Sequence, residues 1–370
     1  MVWGNFAKGK FFFLLPAPFY ACVKKKKNFF LFLLTKREKG GIIVTICKER
    51  RSLPFLEKEK TVRRAIMIKS KYPITGTFID EITYDIPSSN WSNEQWAKDL
   101  DYMKEVGMDT LILMRGVFYD KCLYQSKYFP SLKEDGEDFI RFILEEAEKR
   151  GMQVFLGMYI SNLTWNNGDF VGEIKQNKLY VDEVISRYGD MPAFKGWYIP
   201  HETGSNIYNV QATMGGLAAM CKDRTPDKKV FISPFFRGVN LYPEPMSPER
   251  TADDWNNIWS TCGKDIDICA FQDGTTTLDT YQDYLANIKK VTDAHNIRLW
   301  SNVETFERDV RCMYYPIPFD LLRRKIKLAE PYVEKCITFE FSHFLSPQSI
   351  YPSARNLNGL YRSYYENKNK

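Results

Sequence analysis

The stretch "GWYIPHET", residues 196–203, joins a short run of aromatic and branched residues to a histidine and a glutamate. Apolar runs of this length, bounded by glycine and polar residues, are typical of buried strands. Glu202 is therefore open to two interpretations. It is either the first solvated residue of a loop, or a carboxylate that the end of a strand presents for a function.

Seven further runs of this kind flank the first one, with amphipathic helical stretches between them. The eight runs are "TGTFI" (75–79), "TLILM" (110–114), "QVFLGMYI" (153–160), "KGWYI" (195–199), "KVFISPF" (229–235), "DICAFQ" (267–272), "RLWSNVE" (298–304) and "CITFEF" (336–341). Their alternation with helices predicts parallel strands joined by crossover helices. Eight such units within residues 72–366 predict a single-domain (β/α)8 TIM barrel, a fold of roughly 250 residues. A doubly wound open sheet would more often show a glycine-rich phosphate turn after its first strand, and residues 76–89 have none.

The stretches between the runs carry helix signals of their own. In residues 91–107, Ser92 and Gln95 have the spacing of a capping box, and Gly107 is a C-terminal stop. Residues 136–151 repeat this scheme and end at Gly151. The first helix has one apolar face, formed by Trp96, Leu100, Met103 and Val106.

The net charge of +6 is unevenly distributed along the chain. Residues 1–71 contain 18 Lys and Arg against 4 Glu, which leaves 34 basic and 42 acidic residues for the remainder. Because the predicted barrel is acidic, the sequence argues against nucleic acid as a partner.

The basic first 71 residues are treated as an N-terminal extension. Basic residues precede the apolar run of residues 11–15, as in a signal peptide, but Pro16 and Pro18 interrupt the pattern. The segment is either a degenerate export signal, which favours a periplasmic or extracellular location, or upstream sequence from a wrong start, with Met67 as the true first residue of a cytoplasmic protein. Its apolar runs are shorter than the roughly 20 residues that span a bilayer, so we expect no stable membrane span. We also expect little order in it.

The eight cysteines form no C-x-x-C pair and no cluster with zinc spacing. This distribution predicts scattered core thiols. The sequence also shows no motif for a nucleotide or any other cofactor, so no cofactor is expected.

The C-terminal ends of barrel strands face one shared pocket, so the residues after each run are the candidate site. We expect the catalytic pair to be Glu202 and Glu304. The other candidates would bind substrate; they are Asp80, Glu81, Arg115, Tyr159, Asn162, Trp165, His201, Gln272, Asp273, Glu340 and His343.

Glu202 follows the fourth run and Glu304 the seventh, so they approach the pocket from nearly opposite sides. Two carboxyl groups that flank one bond are what glycoside hydrolysis requires. One protonates the leaving oxygen, while the other attacks the anomeric carbon or activates water. The proton donor must be the drier of the two, because burial raises the pKa of a carboxylic acid.

Four motifs, "GTFIDE", "GWYIPHE", "FQDG" and "WSNVETF", occur in this order along the chain. On these motifs the chain resembles, over about residues 72–365, the glycoside-hydrolase-like TIM-barrel family DUF4434, which is common in gut Bacteroidetes. The resemblance implies a glycan substrate, an oligosaccharide or polysaccharide outside the cytoplasm. It also resembles the large clan of retaining glycosidases, and this implies that Glu202 is the acid/base and Glu304 the nucleophile. In that clan an asparagine precedes the acid/base and binds a sugar hydroxyl, a role that would fall here to His201.

Several candidates also have a structural interpretation. Arg115 is either a clamp for an acidic sugar or an ion-pair partner of nearby acids. One of Asp80 and Glu81 reaches the pocket and the other braces a helix end, because neighbours on a strand point opposite ways. Trp165 lies in a loop and is the better sugar platform, whereas Trp197 and Trp300 lie within strands and are expected in the core.

Two other functions remain open at this point. One is a carbohydrate-binding barrel without turnover, in which the same carboxylates only bind hydroxyl groups. The other is a metal-assisted hydrolase with His201 and His343 as ligands beside Asp80 or Glu340. No H-x-H or H-x-x-x-H spacing supports a metal site, so none is predicted.

Overall fold

The structure, a computed structural model, describes residues 71–368 apart from 84–85, 88–89, 133–135, 162, 206–209 and 309–312. It also describes the backbone of five strands between residues 10 and 66. The chain divides into two units, Met1–Ser70 and Lys71–Lys370.

In the first unit the five backbone strands pair in sequence order as an antiparallel sheet. They are Lys10–Leu14, Phe19–Lys26, Phe29–Glu38, Gly41–Arg50 and Ala65–Ile66. The side chains and most connecting residues of this unit, Met67 included, lie outside the described residues. The expectations of little order and of an alternative start therefore stay predictions.

The second unit is a closed barrel of eight parallel strands, which confirms the predicted (β/α)8 fold. The barrel closes because the last strand pairs with the first, with Ile337 opposite Gly76. In chain order the strands are β1 (Ile74–Ile79), β2 (Thr110–Leu113), β3 (Gln153–Gly157), β4 (Phe194–Ile199), β5 (Lys229–Ile232), β6 (Ile268–Gln272), β7 (Arg298–Asn302) and β8 (Lys335–Thr338).

All eight predicted strands are present, but five of them end earlier than their apolar runs. The strands of the runs 110–114, 229–235, 298–304 and 336–341 end at Leu113, Ile232, Asn302 and Thr338. The run 153–160 splits after Gly157, and Tyr159–Ile160 pairs instead in a small sheet with Val117–Phe118, which also pairs with Lys121–Cys122. Apolar character continues past these ends because the chain there still packs against the barrel mouth.

Side-chain alternation divides the core into two parts. The barrel interior is filled by inward-facing residues, among them Phe78, Tyr198, Phe231, Trp300 and Ile337. Their neighbours face the surrounding helices: Trp197, for example, is fully buried and donates its indole N–H to Thr225 Oγ1 at 2.9 Å. Trp197 and Trp300 are thus core residues, as expected.

Helices cover the outside of the barrel. They are α1 (Asn93–Glu105), α2 (Phe139–Lys149), α3 (Phe170–Tyr188), α4 (Val210–Arg224), α5 (Pro248–Cys262), α6 (Leu278–Ala294), α7 (Phe319–Ala329), the short α8 (Phe341–Phe344) and α9 (Pro352–Lys368). The predicted capping box of α1 is present, with both Ser92 and Gln95 bonded to backbone N–H groups. Gly107 and Gly151 follow α1 and α2 with φ of 76° and 62°, the left-handed conformation that glycine tolerates best.

Five of the eight cysteines have described side chains, and all five are buried, as predicted for core thiols. Within the same part of the chain, none of the helices combines the length and the apolar character needed to span a bilayer.

Candidate active site

A cavity of about 800 Å³ opens at the C-terminal ends of the barrel strands. Its floor is made by residues of the barrel interior, including Phe78, Met114 and Tyr198. Six of the predicted site residues line it: Asp80, Arg115, Glu202, Gln272, Asp273 and Glu304. The fold therefore brings the two expected catalytic glutamates to one cavity.

Glu304 follows β7 and lies against the turn after β6. Its carboxyl group is so close to Gly274 that a Cβ atom added there would stand 1.9 Å from Glu304 Oε2. Burial raises the pKa of Glu304 to about 8, and the Asp273 and Glu202 carboxylates add to the rise. Burial and the two neighbouring carboxylates therefore favour the protonated form of Glu304.

The main chain of Glu304 is fixed by a buried ion pair. Lys325 Nζ, from α7, lies 2.9 Å from Asp273 Oδ1 and donates to the carbonyl oxygen of Glu304 at 3.1 Å. Asp273 Oδ1 in turn accepts the Glu304 N–H at 3.1 Å. Burial raises the pKa of Asp273, whereas the ammonium group of Lys325 lowers it. With that cation on Asp273, the proton of the Asp273–Glu304 pair is better placed on Glu304.

Glu202 is exposed, in contrast to half-buried Glu304. Gln272 Nε2 lies 3.4 Å from Glu202 Oε1 and also donates to the carbonyl oxygen of Ser233 at 2.8 Å. Gln272 therefore connects the residues that follow β4 and β5. The sequence-based division of roles required Glu202 to be the drier carboxyl group. That expectation is wrong: the loop that carries Glu202 opens to solvent, while β6 and α7 enclose Glu304.

Arg115 and Asp80, which line the cavity after β2 and β1, pair with each other. Arg115 Nη1 lies 3.6 Å from Asp80 Oδ2 and donates to Thr83 Oγ1 at 2.6 Å, and its guanidinium group stacks on Phe118. Asp80 Oδ1 accepts the backbone N–H groups of Ile82 and Thr83 at 3.0 and 3.1 Å. Of the two interpretations of Arg115, the contacts favour the structural partner of a nearby acid.

Three other candidates lie off the cavity wall. Glu81 does not line the cavity, whereas its neighbour Asp80 does. Tyr159 is buried and donates its hydroxyl to the carbonyl oxygen of Tyr119 at 2.7 Å, and Trp165 is half-buried against Phe170. Both aromatic residues were predicted to bind substrate, and neither lines the cavity. Asn162 lies outside the described residues.

His201 is also not a cavity residue. It is buried, its Nε2 lies 2.8 Å from Glu173 Oε1, and its ring packs edge-on against Trp165 with 4.7 Å between centroids. The predicted hydrogen bond from His201 to a sugar hydroxyl is thus replaced by one to α3. The reason is alternation, because His201 and Glu202 point to opposite sides.

Glu340 and His343 form a separate buried pair beside β8. Glu340 caps α8: its carboxylate accepts the N–H groups of Ser342 and His343, and His343 Nδ1 lies 2.6 Å from it. Against the opposing effect of burial, Glu340 raises the pKa of His343 to about 9. Both residues were predicted to bind substrate, and neither lines the cavity.

The contacts of His201 and His343 also argue against the metal hypothesis. His201 and His343 are each occupied by a different carboxylate, and neither reaches the cavity. Among the described residues, no group of three histidine, cysteine or acidic side chains could hold a metal ion.

Several lining residues were not predicted. Lys325 belongs to α7, Asn302 is the last residue of β7, and Phe306, Arg308 and Tyr314 belong to the hairpin of Phe306–Arg308 and Tyr314–Pro316. Alternation indicates Asn302, because it lies two residues after inward-facing Trp300. No sequence signal indicates Lys325 or the hairpin residues.

Comparisons with known proteins agree with this architecture. The family model described as a domain of unknown function, DUF4434, matches residues 74–351. The crystal structure of a candidate alpha-L-fucosidase from Bacteroides thetaiotaomicron VPI-5482 is 36% identical to this chain, with a TM-score of 0.75, and the match covers 82% of this chain and 98% of that protein. No curated protein matches the chain.

One more distant structure is similar in fold. A glycoside hydrolase is 14% identical with a TM-score of 0.54, and the match covers 80% of this chain and 70% of that one. The barrel thus has a fold that is found in glycoside hydrolases.

Proposed function

We propose that this chain, which belongs to the DUF4434 family, is a glycoside hydrolase that cleaves a glycan with the carboxyl pair Glu202 and Glu304. The observation that carries the proposal is that both side chains line one cavity, from the ends of β4 and β7, close enough for the charge of Glu202 to raise the pKa of Glu304. Two carboxyl groups in different environments within one cavity, one exposed and one half-buried, are an arrangement suited to glycoside hydrolysis.

The two roles follow from the environments of the two groups. The proton donor must hold its proton in the ligand-free enzyme at working pH, and Glu304, with a pKa of about 8, does so. Glu202 is exposed, and water stabilises its charge. The environments therefore support Glu304 as the acid and Glu202 as the carboxylate, the reverse of the division that the resemblance implies.

In the proposed reaction, Glu304 gives its proton to the glycosidic oxygen as the bond to the anomeric carbon breaks. The carboxylate of Glu202 attacks that carbon and forms a covalent glycosyl ester, which gives a retaining mechanism. Glu304, now ionised, takes a proton from water, and the resulting hydroxide releases the sugar and regenerates both groups.

The substrate class rests on similarity at the level of the family. Because the relative with 36% identity is a candidate alpha-L-fucosidase, an α-L-fucoside is the first substrate to examine. The cavity of about 800 Å³ lies within the range of ordinary ligand pockets and can enclose a sugar unit.

The test is hydrolysis of aryl glycosides, α-L-fucosides first, and of plant, host and microbial polysaccharides by the full chain. Glu202→Gln should lose activity on all substrates by a factor of about 10³ or more. Glu304→Gln should lose it on natural glycans but keep part of it on aryl glycosides whose leaving group needs no proton. Glu307→Gln, which changes a glutamate on the same cavity wall, is the matched control and should change kcat/KM by less than about threefold.

Azide distinguishes the two possible divisions of labour. Added azide should rescue Glu202→Gln with inverted stereochemistry and Glu304→Gln with retained stereochemistry, because azide replaces the nucleophile in one case and water in the other. The opposite pattern would restore the roles implied by the resemblance. Binding of a glycan without any hydrolysis would instead show a carbohydrate-binding barrel.

A further inference from the structure

Lys325 is a buried lysine next to the group that we propose as the acid. It lies on α7, on the face that also carries Leu322, Ile326 and Ala329, and only 8% of its surface is exposed. A lysine beside an apolar stripe normally extends its ammonium group to solvent. This one instead extends it toward the cavity, to Asp273 and Glu304.

The contacts of Lys325 form a closed ring around one residue. Its Nζ donates to the carbonyl oxygen of Glu304 at 3.1 Å and to Asp273 Oδ1 at 2.9 Å. The same Asp273 oxygen accepts the N–H of Glu304 at 3.1 Å. Lys325 and Asp273 therefore hold the two peptide groups on either side of the Glu304 Cα atom.

We infer that Lys325 is a positioning residue for Glu304, which it holds directly through the carbonyl oxygen and indirectly through Asp273. This inference rests on the proposed function, since it gives Lys325 a part in the reaction of Glu304. It assigns Lys325 no contact with the substrate.

A purely structural role explains the hydrogen bonds among Lys325, Asp273 and Glu304 less well than a positioning role does. A buried ion pair is often no more stabilising than apolar side chains of the same volume, so packing alone does not call for one here. Among the described residues, no donor reaches Asp273 Oδ2, which is buried. Leaving a buried carboxylate oxygen unsatisfied is costly, and a catalytic role is one of the reasons for which such groups are kept.

The charge of Lys325 also acts on the Glu304 carboxyl group. Four charged residues from different elements affect the pKa of Glu304. Asp273 after β6 and Glu202 after β4 raise this pKa, whereas Lys325 on α7 and Arg308 on the hairpin lower it. Lys325 thus opposes the effect of burial on the pKa of Glu304.

The test is a titration of Glu304 in the full chain labelled with 13C at the glutamate carboxyl groups. Glu304→Gln identifies the signal, and no substrate is needed. Lys325→Met should raise the midpoint of Glu304 by on the order of one pH unit, because it removes a nearby positive charge. Lys325→Arg should keep the midpoint within a few tenths of a unit of the wild type.

A second, half-buried lysine supplies the matched control. Lys335 pairs with Asp109 and donates to Thr110 Oγ1 at 2.7 Å, at the opposite ends of the strands. Lys335→Met should cost stability as Lys325→Met does, but leave the Glu304 midpoint unchanged. If Lys325→Met does not fold, the double variant Asp273→Asn/Lys325→Met replaces it and removes both charges. The titration midpoint of Glu304 should then lie below that of the wild type, because Asp273 raises the pKa of Glu304 more than Lys325 lowers it.

The outcomes separate this inference from the proposed function. If the midpoint moves in Lys325→Met but not in Lys325→Arg or Lys335→Met, and the alkaline limb of kcat/KM against pH moves with it, Lys325 positions and tunes the acid. If the midpoint moves but the protein hydrolyses nothing, the placement of Lys325 stands while the hydrolase proposal fails. An unchanged midpoint in Lys325→Met, or equal effects of Lys325→Met and Lys335→Met, would overturn the inference.

Discussion

Gly274→Ala tests the position of Glu304 without altering any titratable group. The added Cβ atom would stand 1.9 Å from Glu304 Oε2 and 2.7 Å from its carboxyl carbon. An ordinary C···O contact is about 3.3 Å, so the carboxyl group must move by roughly 1.4 Å. Gly274 does not have the positive φ that would exclude alanine. The backbone therefore accepts the substitution, and the side chain of Glu304 takes up the displacement.

A misplacement of about 1 Å in a catalytic group can lower the rate by a factor of about 10². We expect Gly274→Ala to lose kcat/KM by that factor on the best substrate, mainly through kcat, while Tm falls by only a few degrees. Gly359→Ala is the control, because the position lies in α9 and a Cβ atom meets nothing within 4 Å. It should leave activity unchanged and raise the unfolding free energy by up to about 1 kcal/mol. Full activity in Gly274→Ala would refute the placement of the reacting carboxyl group.

Two further predictions concern groups outside the cavity. His201→Leu removes the ring that pairs with buried Glu173, so we expect a loss of about 1–3 kcal/mol in unfolding free energy, with kcat/KM within about threefold of the wild type. A large loss of kcat/KM without loss of stability would show that His201 acts on the substrate after all. Burial raises the pKa of Asp99 to about 7, so the native state binds a proton more tightly than the unfolded chain, and unfolding free energy should fall as pH rises from about 4 through 7. Asp99→Asn should remove that decrease, worth up to about 2.6 kcal/mol between pH 5 and pH 8, in denaturant titrations at those two pH values; an unchanged pH dependence would contradict it.

The fold was predictable because its signals are local. Eight apolar runs separated by capped amphipathic helices correspond to eight barrel strands, and the Ser92 capping box begins α1 as expected. The ends of the strands were less predictable. Glu340 belongs to an apolar run in the sequence, yet it caps α8, and glutamate is not among the residues that usually occupy such a position.

The site was predictable where it depends on alternation. Glu202 lies four residues after inward-facing Tyr198, and Glu304 lies four residues after inward-facing Trp300, so each keeps the inward direction of its strand. The same count places His201 on the helix side, where it is found. Applied more strictly, alternation would have excluded His201 and added Asn302.

Alternation does not indicate which of two inward carboxyl groups holds the proton, because that depends on residues distant in the sequence. Glu202 and Glu304 occupy equivalent positions after their strands, yet only Glu304 is enclosed, by Asp273 from the neighbouring turn and Lys325 from the following helix. Asp273 and Lys325 act on Glu304 by their position and charge, and no sequence motif marks that effect. Similar motifs therefore predict which two glutamates lie in the cavity, but not which of them is the acid. The roles of Glu202 and Glu304 therefore depend on the surroundings of each group in this barrel. The stereochemistry of azide rescue shows which of the two is the nucleophile and which is the acid.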